Sequence, residues 1–83
     1  MIRITEAQAK ECFLASRTFY MLPPNFFMEG NFDGFGGREE EVLPDTLDYY
    51  LTEQGYSFQE AWDTLIANWR YQNDTINPVF YTT

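Results

Sequence analysis

The sequence predicts a mainly α domain, with α+β as the variant. Three helices flank a Phe/Gly-rich connector, the last two form an αα-hairpin, and the termini supply a minor strand pair. Three observations predict it. Apolar residues recur at three- and four-residue spacing in three separate stretches. Two of those stretches open with a capping box, Thr5 with Gln8 and Ser57 with Glu60, in which side chain and backbone satisfy each other's free groups. The breakers Pro23-Pro24 and Gly55 fall where periodic runs stop. At 83 residues, 1-83 is a single small acidic domain with a thin core.

The first helix opens at Thr5, and Ala9, Cys12, Phe13, Ser16, Phe19 and Tyr20 form its apolar face. Pro23-Pro24 ends it, because proline lacks an N–H and disfavours helix in its predecessor. Residues 23–42 interleave Phe26, Phe27, Phe32 and Phe35 with Gly30, Gly34, Gly36 and Gly37. The glycines weaken helix there, the phenylalanines predict a packed connector, and Gly30-Asn31 could turn a short hairpin. The second helix starts at Pro44 with the stripe Leu43, Leu47, Tyr50 and Leu51, and Gly55 is its left-handed cap. The third follows at Ser57, stapled by Tyr56 against Ala61, with Phe58, Ala61, Trp62, Leu65, Ile66 and Trp69 on one face. It fades near Asn73. Ile76, Val79, Phe80 and Tyr81 then read as an extended tail that pairs with Met1 to Thr5.

Composition narrows the function. Aromatics are 19% of the chain, far above a disordered acidic segment. There is no His, and Cys12 is the one cysteine, so an internal disulfide and a cysteine-built zinc site are excluded. Cys12 falls on an apolar face with no histidine base available, which reads as core packing rather than a nucleophile. The chain runs from Met1-Ile2-Arg3-Ile4 into a polar helical pattern, without an apolar leader core or a run of transmembrane length, so a soluble cytoplasmic protein is expected.

The charge distribution is the functional signal. Glu39, Glu40, Glu41, Asp45, Asp48, Glu53, Glu60 and Asp63 are eight acids with no Lys or Arg among them, and the formal net charge of the chain is −8. The remaining acids are balanced by Arg3, Lys10, Arg17, Arg38 and Arg70. At 100° per residue Asp45 and Asp48 oppose the second helix's stripe, Glu41 joins them if that helix begins early, and Glu60 and Asp63 oppose the third helix's stripe. Acids at this spacing sit about 5–6 Å apart. Phosphates climb a nucleic-acid strand by about 3.4 Å per step along a helical path, so two acidic helices can imitate a phosphate track. A charged outer face is ordinary for a soluble helix, and Asp45 and Glu60 also favour a helix start. Ordinary faces mix signs, however, and this one does not. Tyr49 and Tyr71 fall off their stripes, and Tyr49 lies among acids, where a tyrosine ring can meet an arginine.

Other chemistries fit less well. Residues 29–40 resemble an EF-hand calcium loop: Gly34 takes the turn, with Glu29, Asn31, Asp33 and Glu40 at the first, third, fifth and twelfth positions. The first ligand is Glu rather than Asp, Gly36 replaces a branched apolar residue, and Pro23-Pro24 and Pro44 crowd the flanking helices. A helix-turn-helix reader around Gly55-Tyr56-Ser57 lacks basic residues, and Gly34-Phe35-Gly36-Gly37 lacks the lysine of a phosphate loop. Acid–base work needs burial or a close partner to move a pKa, and the Glu39-Glu40-Glu41 triplet reads as solvated, so the chain is not expected to be an enzyme or to need a cofactor.

The expectation is therefore a non-catalytic protein that occupies a basic, nucleic-acid-binding surface on a larger protein. Direct contact with nucleic acid or membrane is not expected. In its most concrete form it is a phage or mobile-element inhibitor that mimics nucleic acid against a host nuclease, restriction enzyme or CRISPR effector. The contact residues are Glu39, Glu40, Glu41, Asp45, Asp48, Tyr49, Glu53, Glu60 and Asp63. The alternatives are a regulatory or calcium-binding module using the 29–40 loop, and an adaptor or antitoxin-like protein binding through apolar contacts.

Overall fold

Phe19–Leu22 is a strand, not the end of the first helix, and this turns the expected mainly helical domain into an α+β one. The computed structural model describes residues 1–24 and 39–83. In chain order the elements are β1 (Ile2–Ile4), α1 (Glu6–Leu14), β2 (Phe19–Leu22), β3 (Glu40–Val42), α2 (Asp45–Thr52), α3 (Phe58–Gln72) and β4 (Val79–Thr82). The hairpin expected at Gly30-Asn31 lies outside the described residues.

Helix α1 begins as its sequence dictates. The Thr5 hydroxyl accepts the Gln8 N–H at 3.1 Å and the Gln8 side chain accepts the Thr5 N–H at 2.9 Å. It stops five residues before Phe19 because Ser16 takes a left-handed conformation, φ 56°. The Arg17 N–H then donates to the Cys12 carbonyl and the Ser16 N–H to the Phe13 carbonyl, the bonding pattern of a Schellman stop. Glycine ordinarily marks such a stop; serine gives no such mark in the sequence.

The strands form one antiparallel sheet in the order β1-β4-β2-β3. The C-terminal strand does pair with the N-terminal one, Ile2 opposite Thr82 and Ile4 opposite Phe80. It also pairs with β2, Met21 opposite Phe80, so it is a central strand rather than an appendage. Alternation sorts the side chains. Phe19, Met21, Val42 and Phe80 face the helices and join the core. Arg3, Tyr81, Tyr20 and Glu41 fall in register across the other face, one from each strand.

Helix α3 supplies the largest side chains of the core. Its Ser57–Glu60 capping box is formed as expected. Ala61, Trp62, Leu65 and Trp69 are buried. The Trp62 ring lies 5.7 Å from Phe13, 6.1 Å from Phe19 and 5.7 Å from Phe80, tying α1, β2 and β4 to one point. Helix α2 packs on α3, and Gly55 between them has φ 69°. The expected α2 stripe is only partly buried. Leu47 is inside and Tyr50 stacks on Tyr56 at 5.8 Å, but Leu43 and Leu51 are 48% and 41% exposed. Leu43 precedes α2, which begins at Asp45, and Leu51 lies in its last turn, so the expected row at 43, 47 and 51 is not carried by one helix.

Candidate functional site

The candidate surface is built from a strand and two helices. Glu39, Glu40, Glu41, Asp45, Asp48, Glu53, Glu60 and Asp63 are all exposed. Asp45 and Asp48 lie on the side of α2 away from Leu47, and Glu60 and Asp63 on the side of α3 away from Trp62 and Trp69. The helical part of the expected constellation is thus brought onto the outer faces of two helices that pack together.

The glutamate triplet is arranged differently. Glu41 is not on an early turn of α2; it belongs to β3, paired with Tyr20, while Glu40 is paired with Met21. A strand sends successive side chains to opposite faces. Glu40 therefore lies on the helix side of the sheet and Glu41 on the other, and the triplet does not act as one patch. The Tyr20 hydroxyl donates to Glu41 Oε2 at 3.0 Å. This bond, with partial desolvation and the charges of Glu41 and Glu39, pushes the Tyr20 hydroxyl above its ordinary pKa.

Two acids of α3 have neutral partners. Asp63 accepts from Gln59 Nε2 at 2.9 Å, and Glu60 accepts from the Ser57 N–H at 3.0 Å. The Ser57 backbone N–H, then its hydroxyl, hold the Glu60 carboxyl below its ordinary pKa, outweighing a small opposing desolvation. Tyr49, next to Asp48 on α2, is half exposed, and its hydroxyl accepts from Gln54 Nε2 at 2.9 Å. Tyr71 is 88% exposed, as its position off the α3 stripe implies.

Of the expected calcium loop, Glu29, Asn31 and Asp33 lie outside the described residues. Glu40 is in an edge strand, where the EF-hand pattern would have it leading into the outgoing helix. Among the described residues no group of three or more His, Cys, Asp or Glu is placed to hold a metal ion. Cys12 is half-buried on α1, and no helix of the described residues is long and apolar enough to cross a membrane. The row Arg3, Tyr81, Tyr20 and Glu41 was not legible in the sequence, because it exists only once Phe19–Leu22 is a strand. No family model, curated protein or solved structure matches the chain.

Proposed function

We propose that the chain is a non-catalytic binding protein whose acidic surface occupies a basic, nucleic-acid-binding surface of a larger protein. In its most concrete form it is an inhibitor, carried by a phage or mobile element, that mimics nucleic acid against a nuclease, restriction enzyme or CRISPR effector. One observation carries the reading. Asp45, Asp48, Glu60 and Asp63 project from the outer faces of two packed helices, in a stretch without a single Lys or Arg from 39 to 69. Such a field steers a cationic partner and gives fast, salt-sensitive association. Tyr49 offers that partner an aromatic face.

The test is the quadruple variant D45K/D48K/E60K/D63K, which places the substitutions on exposed faces and leaves the core untouched. Binding is abolished while the circular dichroism spectrum is retained. Undiminished binding by the folded variant refutes the reading.

A second reading is favoured by the exposure of Leu43 and Leu51. An adaptor contacting its partner through these leucines would hold it at high salt and lose it in L43S/L51S, the reverse of the pattern above.

A further inference from the structure

The two edges of the sheet are chemically unlike, and we infer that they fit each other: β1 of one copy accepts β3 of a second copy, extending the sheet head to tail. Among the described residues β1 and β3 are the outermost strands. Edge strands ordinarily carry charge against such pairing. Strand β3 has Glu40 and Glu41, with Glu39 just before it. Strand β1 has no acid; it shows Arg3 between Ile2 and Ile4, with Ile2 63% exposed and Met1 58% exposed.

The charge asymmetry extends beyond the strands. Residues 1–24 hold Arg3, Lys10 and Arg17 against Glu6 and Glu11, an excess of one positive charge in an otherwise acidic chain. Beside β1 runs an open groove of about 400 Å³ lined by Ile4, Gln8, Glu11, Cys12, Ala15 and Arg17. It lies on the flank of α1 opposite Lys10, whose ammonium sits 5.8 Å from the Trp62 ring on the α3 side. An added strand would therefore find backbone on one side and a helix-walled groove beneath it, the geometry of strand addition to a sheet edge.

Direction and register both fit. Strand β1 is antiparallel to β4, β4 to β2 and β2 to β3. A second copy placed beside the first by simple translation across the sheet thus brings its β3 antiparallel to β1. Setting Arg3 opposite Glu41 of the second copy pairs Ile2 with Val42 and Ile4 with Glu40. This keeps every side chain on its own face. Arg3 and Glu41 then meet on the open face, where the Tyr20 hydroxyl engages Oε2 of Glu41 and leaves Oε1 to the arginine. Glu40 follows Ile4 onto the helix side of the sheet, where the groove is lined by both Glu11 and Arg17. Symmetric pairings lack this match: β1 on β1 in full overlap opposes Arg3 to Arg3, and β3 on β3 opposes Glu41 to Glu41. The contact is short and therefore weak, and because it is heterologous it continues beyond a dimer. It uses Glu40 and Glu41 of β3 but leaves the outer faces of α2 and α3 free, so D45K/D48K/E60K/D63K tests the proposed function without touching this contact.

Sedimentation equilibrium at millimolar concentration tests it, using wild type, R3E, E41R and an equimolar mixture of the two variants. The weight-average mass of wild type is expected to rise with concentration past twice the 9.8 kDa chain without a plateau. Each variant alone opposes like charges and associates about tenfold more weakly. In the mixture the β1 edge of R3E, now acidic, meets the β3 edge of E41R, now basic. The two unaltered edges meet as Arg3 with Glu41, so opposite charges face each other at every contact and association returns. That recovery cannot come from a misfolded variant. A monomer at all concentrations, a plateau at the dimer, variants that associate like wild type, or a mixture that fails to recover each overturns the inference.

Discussion

Replacing Phe80 by alanine is expected to remove a large part of the stability of this domain. Phe80 is 6% exposed, and its ring lies 6.3 Å from Phe19 and 5.7 Å from Trp62. Its backbone is paired on both sides, with Ile4 of β1 and Met21 of β2. Truncating a buried phenylalanine costs about 3–5 kcal/mol, the lost transfer plus the cavity left behind. A chain of this length has roughly 4–12 kcal/mol in total. In urea, where a small domain loses about 1 kcal/mol per molar, the midpoint should fall by ~3 M or more. Equilibrium unfolding followed by tryptophan fluorescence is the assay, since Trp62 packs on the altered site. F80L, which keeps most of the volume, should recover more than half of the loss. Y71A, at an 88% exposed position, should stay within about 0.5 kcal/mol of wild type. A loss in F80A below about 1 kcal/mol would refute the placement of β4 at the centre of the sheet.

Three further outcomes follow from local chemistry. Thr75 is a β-branched residue at φ 63°, following Asp74 at φ 56°, so T75G should raise stability by about 1 kcal/mol in the same urea assay. Glu60 has a folded-state pKa below its unfolded one, so its contribution is present above the unfolded value and lost as pH falls through the folded value. The acid limb of a stability–pH curve should accordingly be shallower in E60Q. Tyr20 is shifted the other way, so its contribution is full below the ordinary tyrosine value of 10.0 and lost as pH rises through the folded value. An ultraviolet titration should show one tyrosine ionising late in wild type and earlier in E41Q.

Local signals made much of the fold legible, and long-range pairing hid the rest. Both capping boxes formed where Thr5–Gln8 and Ser57–Glu60 stand, and the α3 stripe is the core-facing one, because these features depend on residues within a turn of each other. The tail pairs with β1 as its extended character implied. Phe19–Leu22 misled because a four-residue apolar run fits a helix face or a buried strand equally. Phe19 and Tyr20 also continue the α1 spacing, and the turn that separates them from it rests on a left-handed serine. Strand β3 was invisible because Glu40 and Glu41 are poor strand formers, held there by pairing with β2. The site divides in the same way. The exposure of the helical acids follows from helical geometry, whereas the alternation of Glu40 and Glu41 across the sheet needs the strand.

The most direct measurement of whether these acids form a binding surface is a paired capture. Wild type and D45K/D48K/E60K/D63K are immobilised and exposed to host extract, with and without competing duplex DNA, then eluted by a salt gradient. Wild type should retain nucleic-acid-binding proteins that duplex DNA displaces and moderate salt releases, and the folded variant should retain none of them. The same proteins held by both, unmoved by DNA or salt, would contradict the acidic-surface reading.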